Sequence, residues 1–287
     1  MKSRYREKIM QAVFFIAACA SILAVILICV FLFANGLPAI GEIGVFQFLF
    51  GTKWKPGNDI YGIFPMILGS IYVTAGAIVI GVPIGILTSV FMAEYCPEKI
   101  YKPLKMATEL LAGIPSIVYG FFGLVVLVPI IRTLFQGKTN GSSILTSSIL
   151  LGMMILPTII GVTESSLRTV PRAYFEGALA LGATKERSIF TVMIPAAKSG
   201  IMAGVVLGIG RAIGETMAVM MVAGNQARVP DSILQGVRTL TTNIVLEMGY
   251  ATGLHREALI ATAVVLFIFI LIINFTIACL NNQKGDA

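Results

Sequence analysis

One arginine and one glutamate lie inside an apolar stretch of the sequence. Arg211 and Glu215 fall within residues 199–224, a segment otherwise apolar enough to cross a bilayer. Counted from a helix start near Ser199, Arg211 would lie about 18 Å along a helix that rises 1.5 Å per residue. A guanidinium at that depth costs on the order of 2.5–3.5 kcal/mol, so it should face a partner or a water-filled cavity.

The spacing of this pair suggests what it could do. Residues i and i+4 share a helix face, so we expect Glu215 to hold the guanidinium of Arg211. The planar donors of arginine suit an oxyanion, and the glutamate would keep the net charge low enough for its release. We therefore predict a substrate pathway at Arg211 and Glu215. The alternative is a self-neutralising pair that only stabilises a helix bundle.

No other group of residues predicts a reaction. The apolar stretches carry no nucleophile with a neighbouring base, His255 is the single histidine, and the four cysteines form no CxxC pair. Residues 137–139 read Gly-Lys-Thr, but Arg132 stands where a phosphate-binding P-loop needs its first glycine. We predict no catalytic residue, no metal and no cofactor, and place any ATP chemistry in a partner chain. We expect His255 to be solvated at a helix end.

The polar segment at 169–195 is the second informative part of the sequence. Pro171 suits the first position of a helix, and Gly182 suits a left-handed stop after it. Thr184 can cap a second helix, which Pro195 would end before the membrane. We expect two short helices at the membrane surface, a shape suited to docking into a groove on another protein.

The composition indicates that a membrane surrounds the elements that position these residues. Hydrophobic residues make up 57% of the 287 residues and charged residues 12%, with a net charge of +7. Such a chain cannot cover a compact domain with a water-facing surface. The positive charge favours contact with anionic lipid over nucleic acid, because no basic stripe with interleaved aromatic residues is present.

Six apolar stretches are long enough to cross roughly 30 Å of hydrocarbon. They are 10–34, 66–93, 112–134, 142–164, 199–224 and 257–280. The first is longer than the apolar part of a signal peptide, so we interpret it as a retained signal anchor. The predicted fold class is all-α, a polytopic membrane protein with about six transmembrane helices. Pro115 predicts a break near 113–115 in the third stretch.

The distribution of Lys and Arg predicts the orientation. The N-terminal tail, the loops near 94–111 and 165–198, and the C-terminal tail carry more basic residues than the opposite loops. By the positive-inside rule the richer side is cytoplasmic, so we predict that both termini lie inside. Trp54, on the outer side, is then expected to be an interfacial anchor, with a docking face as the alternative.

The segment at 169–195 resembles the EAA loop of ABC importer permeases. Its matching residues are Glu176, Gly177, Ala178, Gly182 and Pro195, the last at the end of a Val-Met-Ile-Pro run. The glycine at 177 stands where that family usually has alanine. The resemblance implies the type I ABC importer permease fold, a transport subunit without its own ATPase site, and coupling to a separate ATPase through these five residues.

Four further stretches resemble the C-type permease subunit of bacterial phosphate importers. They are 54–56, 61–65, 109–120 and 210–217. The resemblance implies a permease for inorganic phosphate in the bacterial inner membrane. Its implied partners are a homologous A-type permease, a cytoplasmic ABC ATPase dimer and an external phosphate-binding protein.

The same resemblance implies a division of the chain and leaves alternatives open. The expected regions are a signal anchor with an outer segment at 1–65, a transmembrane domain at 66–280 and a cytoplasmic tail at 281–287. The alternatives are the A-type sister subunit, a permease for another oxyanion such as sulfate, and a secondary transporter. The last would need midplane acids for coupling ions, and only Glu215 is deep.

Overall fold

A computed structural model describes the backbone of residues 2–282 and the side chains of residues 6–276. Helices form most of this part of the chain. In order they are α1 Lys2–Ile43, α2 Val45–Phe50, α3 Phe64–Val90, α4 Glu98–Gly113, α5 Ser116–Phe122, α6 Val128–Leu134, α7 Ile144–Thr169, α8 Arg172–Ala180, α9 Lys185–Ser188, α10 Ile194–Ala196, α11 Lys198–Gly214, α12 Met217–Val222, α13 Leu240–Glu247 and α14 Gly253–Asn282. Of the tail expected at 281–287, residues 283–287 lie outside the described part.

A two-stranded antiparallel hairpin lies between α2 and α3. Strand β1 (Trp54–Lys55) pairs with β2 (Ile60–Tyr61), so that Trp54 is opposite Tyr61. Asp59 closes the connecting turn in the left-handed conformation, with φ at 51°. The hairpin thereby brings two aromatic rings into T-shaped contact.

Five helical segments among the described residues are long and apolar enough to cross a membrane. They are Arg6–Ile43, Phe64–Tyr95, Ser116–Leu134, Ile144–Thr169 and Gly253–Thr276. A sixth span results if Lys185–Ala196 and Lys198–Gly214, which meet at a bend of 70°, count as one. The predicted all-α polytopic fold is confirmed, although the first helix continues well beyond the expected end at 34.

The predicted break near 113–115 is confirmed. α4 ends at Gly113, Ile114 is extended with ψ at 125°, and α5 begins at Ser116. Proline lacks a backbone donor and disfavours helical conformation in the residue before it. The hydroxyl of Tyr119 bridges the break, because it donates to the backbone oxygen of Leu111 (2.9 Å).

The fifth apolar stretch does not form one helix across 199–224, so that expectation was wrong. α11 ends at Gly214, Glu215 is extended with ψ at 130°, and α12 begins at Met217. The carboxylate of Glu215 accepts the backbone N–H of Ala218 (3.1 Å), which satisfies a free donor in the first turn of α12. A second helix break therefore follows Arg211.

The central core lies between α3, α7, α11 and α12. Its buried side chains include Val73, Leu150 and Val219. The backbones of α3 and α7 approach closely, since a Cβ on Gly81 would lie 2.8 Å from the backbone oxygen of Gly152. This scaffold holds the loops at both of its ends. We call the end with residues 92–113 and 164–200 the coupling end, because it includes the segment that resembles the EAA loop. We call the end with residues 51–63, 135–143 and 223–255 the opposite end.

Candidate functional site

The segment at 169–195, called the coupling loop below, forms the two predicted short helices. α8 begins just after Pro171, one residue later than expected. Gly182 is left-handed with φ at 87°, as predicted. The backbone N–H of Ala183 donates to the carbonyl of Ala178 (3.1 Å), which ends the helix in the manner of a Schellman motif.

The second helix of the coupling loop starts as expected but ends differently. The hydroxyl of Thr184 accepts the backbone N–H of Arg187 (3.3 Å) and so caps α9. Pro195 does not stop the chain, which passes through a π-helical turn at Ile189–Met193 and α10 before it bends at Ala197. The wider turn tolerates a residue without a backbone donor, so the bend lies beyond the proline.

α8 presents one acid and several apolar side chains to its surroundings. Glu176 is exposed, Tyr174 is 56% exposed, and Leu181, just after the helix, is 91% exposed. A Cβ on Gly177 would have no neighbouring atom within 4 Å, so the usual alanine of the motif would also fit. Ala178 is half-buried. Exposed apolar side chains grouped around a charge are typical of a protein-binding surface.

Two contacts fasten the coupling loop to the end of α3. Arg172 Nη1 lies 2.9 Å from Glu94 Oε2, and the side chain of Glu94 is only 3% exposed. Lys185 Nζ lies 4.5 Å from the ring centre of Tyr95. Glu94 and Tyr95 belong to a π-helical turn at Phe91–Tyr95 that follows α3. Both helices of the loop are therefore attached to the same turn.

A buried acid, Glu164, lies beside the root of the coupling loop. Tyr101 Oη donates to Glu164 Oε1 (2.8 Å), Lys105 Nζ donates to Oε2 (2.6 Å), and Arg168 Nε donates to Oε1. Arg168 also lies above the ring of Tyr101, 4.4 Å from its centre, and donates to the backbone oxygen of Met92 (3.0 Å). We call Glu164, Tyr101, Lys105 and Arg168 the Glu164 cluster.

The Glu164 cluster was missed by the sequence reasoning. The hydrogen bond to Glu164, together with burial, raises the pKa of the Tyr101 hydroxyl. The same carboxylate raises the pKa of Lys105, although burial opposes it. Both groups therefore remain protonated donors at neutral pH. The available signal was an acid at the last position of a predicted apolar stretch, 142–164, where a buried charge needs partners.

Arg211 is half-buried on α11, but it does not pair with Glu215 as predicted. Its Nη1 lies 3.5 Å from the hydroxyl of Thr158 on α7, and no ion pair to Arg211 occurs among the described side chains. The predicted pair was wrong because the helix ends at Gly214 and the carboxylate turns to the amide of Ala218. The guanidinium thus keeps donors for another acceptor.

The family "Binding-protein-dependent transport system inner membrane component" matches residues 81–283. The chain belongs to this family. The permease is also 40% identical over 272 residues to "Probable ABC transporter permease protein YqgH" of Bacillus subtilis (strain 168), covering 91% of this chain and 88% of that protein. The predicted membership of the ABC importer permeases is confirmed, and the family's members are inner-membrane transport components.

Two further relatives carry a more specific name. The permease is 38% identical over 276 residues to "Phosphate transport system permease protein PstC" of Mesorhizobium japonicum, covering 88% of this chain and 84% of that protein. It is 32% identical over 270 residues to "Probable phosphate transport system permease protein PstC" of Methanocaldococcus jannaschii, with coverage of 87% and 85%. The predicted resemblance to the C-type phosphate permeases is confirmed.

Solved structures of ABC transporters share the fold of the permease. A bacterial transporter involved in the import of alginate superposes with a TM-score of 0.61 at 14% identity, covering 94% of this chain and 96% of that chain. The methionine transporter MetNI superposes with a TM-score of 0.56 at 20% identity, covering 77% and 94%. These likenesses concern the fold alone.

A second buried acid, Glu247, lies at the opposite end of the permease. Its carboxylate accepts from Trp54 Nε1 (2.8 Å) and Arg238 Nη1 (2.6 Å), and lies 2.8 Å from His255 Nε2. The expectations of a solvated histidine and an interfacial tryptophan were wrong. The side chain of His255 is 14% exposed and Trp54 is 7% exposed. We call Glu247, Trp54, Arg238 and His255 the Glu247 cluster.

Titration of this end reflects burial and hydrogen bonding. Burial would raise the pKa of Glu247, but the hydrogen bonds from Trp54, His255 and Arg238 outweigh it and lower that pKa below its ordinary value. Burial, with the hydrogen bond and charge of Asp59, raises the pKa of Tyr61 to about 12. The glutamate is therefore ionised at neutral pH while the tyrosine remains protonated.

Proposed function

We propose that the permease is the C-type subunit of an ATP-driven importer of inorganic phosphate. It would form half of a translocation pathway without cleaving any bond itself. The observation that carries the proposal is the combination of relatives named phosphate transport permease with an exposed coupling loop that presents Glu176. Phosphate is the substrate in the names of those relatives, and an oxyanion suits the free donors of Arg211.

We propose that the coupling loop inserts into a cleft on a separate ATPase. Glu176 would enter the cleft, and the left-handed Gly182 allows the chain to turn so that α8 and α9 dock together. Gly177 and Ala178 supply a narrow helix surface, and Pro195 precedes the bend into α11. The exposed Leu181 adds apolar area to the contact.

We propose that phosphate passes Arg211. A guanidinium with only a long contact to a neutral hydroxyl can offer paired donors to two phosphate oxygens. Glu215 belongs to the pathway in a revised role, because its carboxylate fixes the start of α12 beside the arginine. Its negative charge nearby would still favour release of the anion.

The proposed assembly contains the partners that an importer needs. They are a homologous A-type permease, a cytoplasmic ABC ATPase dimer and an external phosphate-binding protein. The coupling end would then face the cytoplasm together with both termini, in keeping with the excess of Lys and Arg on that side. The regions at 1–65, 66–280 and 281–287 would be anchor with outer segment, transport domain and tail.

The experiment is the deletion of the gene, followed by uptake of radiolabelled phosphate and sulfate. We expect high-affinity phosphate uptake to be lost, sulfate uptake to be unchanged, and the gene in trans to restore phosphate uptake. Loss of sulfate uptake alone would show that the substrate is another oxyanion, sulfate, and not phosphate. Co-purification separates the subunit types, because a C-type subunit should bring down one A-type partner and the ATPase.

A further inference from the structure

α4 is attached to the bundle by polar contacts instead of apolar burial. Among the described side chains, no residue of α4 is buried. Tyr101 and Lys105 nevertheless reach Glu164 on α7, which is 2% exposed. A buried carboxylate needs partners, because an ionised group without them is costly in a medium of low polarity. A movement of α7 at this level therefore draws α4 with it, or exposes the carboxylate.

The coupling loop acts on the same carboxylate. Arg168 lies in the last turn of α7, directly before the loop, and donates both to Glu164 and to the backbone oxygen of Met92. Arg172, in the first turn of α8, forms an ion pair with Glu94 only two residues after Met92. A displacement of α8 is thereby imposed on the end of α3 and on the carboxylate together.

The C-terminal end of α4 is connected to both helix breaks, directly to the first and through α5 and α12 to the second. The hydroxyl of Tyr119 on α5 donates to Leu111 in the last turn of α4, across the break at 113–115. α5 packs tightly on α12, since a Cβ on Gly120 would lie 2.9 Å from the Cα of Ala218. α12 begins at Met217, two residues after Glu215. Contacts thus run continuously from the coupling loop to the neighbourhood of Arg211.

We propose that Glu164 is a coupling residue, which transmits movement of the coupling loop through Lys105 and Tyr101 to α4 and to the helix break at 113–115. The inference rests on the proposed function, because it assumes an ATPase at the coupling loop. Glu164 is a positioning residue in this account and touches neither ATP nor phosphate. Polar contacts can be broken and remade in a conformational cycle more readily than a packed apolar core.

The test is the number of ATP molecules hydrolysed per phosphate imported, measured with the assembled transporter in proteoliposomes. Glu164→Gln and Lys105→Gln should each keep co-purification with the ATPase and raise this ratio about tenfold, within the usual range of allosteric coupling. The double variant should be no worse than either single variant, because all three disrupt one connection. Lys102→Gln, an exposed lysine on the same helix, is the matched control and should keep the wild-type ratio.

The possible failures are distinguishable. If the wild type imports no phosphate with ATP, the proposed function is wrong. If it does, and Lys105→Gln keeps the wild-type ratio, the coupling role is wrong even where Glu164→Gln fails to accumulate in the membrane. Lys105→Arg should restore most of the coupling, since it keeps a charged donor for the carboxylate. A merely structural role predicts fewer molecules in the membrane at an unchanged ratio.

Discussion

The permease has a buried glutamate at each end, and the two differ in how firmly their partners are enclosed. Glu247 at the opposite end and Glu164 at the coupling end each contact three side chains. Arg238, beside Glu247, is 17% exposed, whereas Arg168, beside Glu164, is 44% exposed. The ion pair of the buried glutamate is therefore shielded from solvent at the opposite end and partly accessible to solvent at the coupling end.

The surroundings of the two acids explain this difference. The rings of Trp54, Tyr61 and Tyr250 lie within 6.3 Å of the ring of His255, which packs the Glu247 cluster on several sides. The Glu164 cluster instead joins an α4 without buried residues to the coupling loop. We infer that the opposite end is fixed and that the coupling end rearranges during transport. Each prediction below tests that contrast, in order of decreasing effect on uptake.

The largest effect is expected from Glu176→Lys at the coupling end. Phosphate uptake should fall about 100-fold or more, because a reversed charge in the proposed ATPase cleft would cost several kcal/mol. The amount of protein in the membrane should not change, since Glu176 is exposed. Glu186→Lys, at an exposed acid on α9, is the control and should retain most of the uptake. Equal uptake by both variants would show that Glu176 is not part of the contact with the ATPase.

Arg211→Lys tests the region between the two ends. The variant keeps the charge but loses the paired donors, so we expect uptake to fall about tenfold while assembly with the ATPase persists. Arg132→Lys, at an exposed arginine in the last turn of α6, should have no effect. Wild-type uptake by Arg211→Gln at a normal protein level would assign the arginine a structural role at most.

Gly182→Ala should have a smaller effect on uptake. The glycine has φ at 87°, a conformation that costs another residue about 1–2 kcal/mol, so the turn between α8 and α9 would be strained. We expect uptake to fall a few-fold. Gly177→Ala, in the open space along α8, should leave uptake unchanged. A larger loss for Gly177→Ala than for Gly182→Ala would contradict this view of the loop.

Glu247→Ala should have the smallest effect on transport per folded molecule and a large effect on stability. It leaves the half-buried guanidinium of Arg238 without its ion-pair partner, which costs up to about 3–5 kcal/mol, so Tm should fall. Glu257→Ala, at an exposed acid of α14, is the control. An unchanged Tm would contradict the stabilising role of the Glu247 cluster. An unchanged Tm together with impaired transport would show that the opposite end, and not the coupling end alone, takes part in transport.

The pH dependence of that stability difference follows from the lowered pKa of Glu247. A carboxyl whose pKa is lowered in the folded state stabilises the protein at pH values above its ordinary pKa of 4.5. This contribution is lost as the pH falls through the lowered pKa. The Tm difference between wild type and Glu247→Ala should therefore be full at neutral pH and shrink below about 4.5. Thermal unfolding from pH 7 down to about pH 3 measures this. A difference that grows with acid would contradict the direction of the shift.

Local rules predicted the parts of the fold that depend on single residue types. Pro115 specifies the break before α5, and Gly182 and Thr184 specify the turn in the coupling loop, because each acts on backbone within a few residues. The length of the apolar stretches predicted the spans, because a helix needs about 20 apolar residues to cross the hydrocarbon core. The predicted pairing of Arg211 with Glu215 was wrong, because helical spacing does not reveal that the glutamate will instead accept a hydrogen bond from a nearby backbone amide.

Long-range contacts explain what the sequence reasoning missed. Glu164 contacts α4 from α7, and Glu247 contacts Trp54 across most of the chain. Neither pairing follows from spacing along one helix, since both depend on how helices pack. The buried state of His255 has the same origin, because the hairpin at Trp54 closes over it.

The most direct test of the account is phosphate uptake into proteoliposomes that contain the permease, its A-type partner and the ATPase, with the phosphate-binding protein outside. We predict uptake that requires ATP in the lumen, where the coupling loop lies, together with the binding protein, and that Glu176→Lys abolishes. An ion gradient without ATP should drive no uptake. Uptake driven by the gradient alone, and unaffected by Glu176→Lys, would identify a secondary transporter and contradict the account.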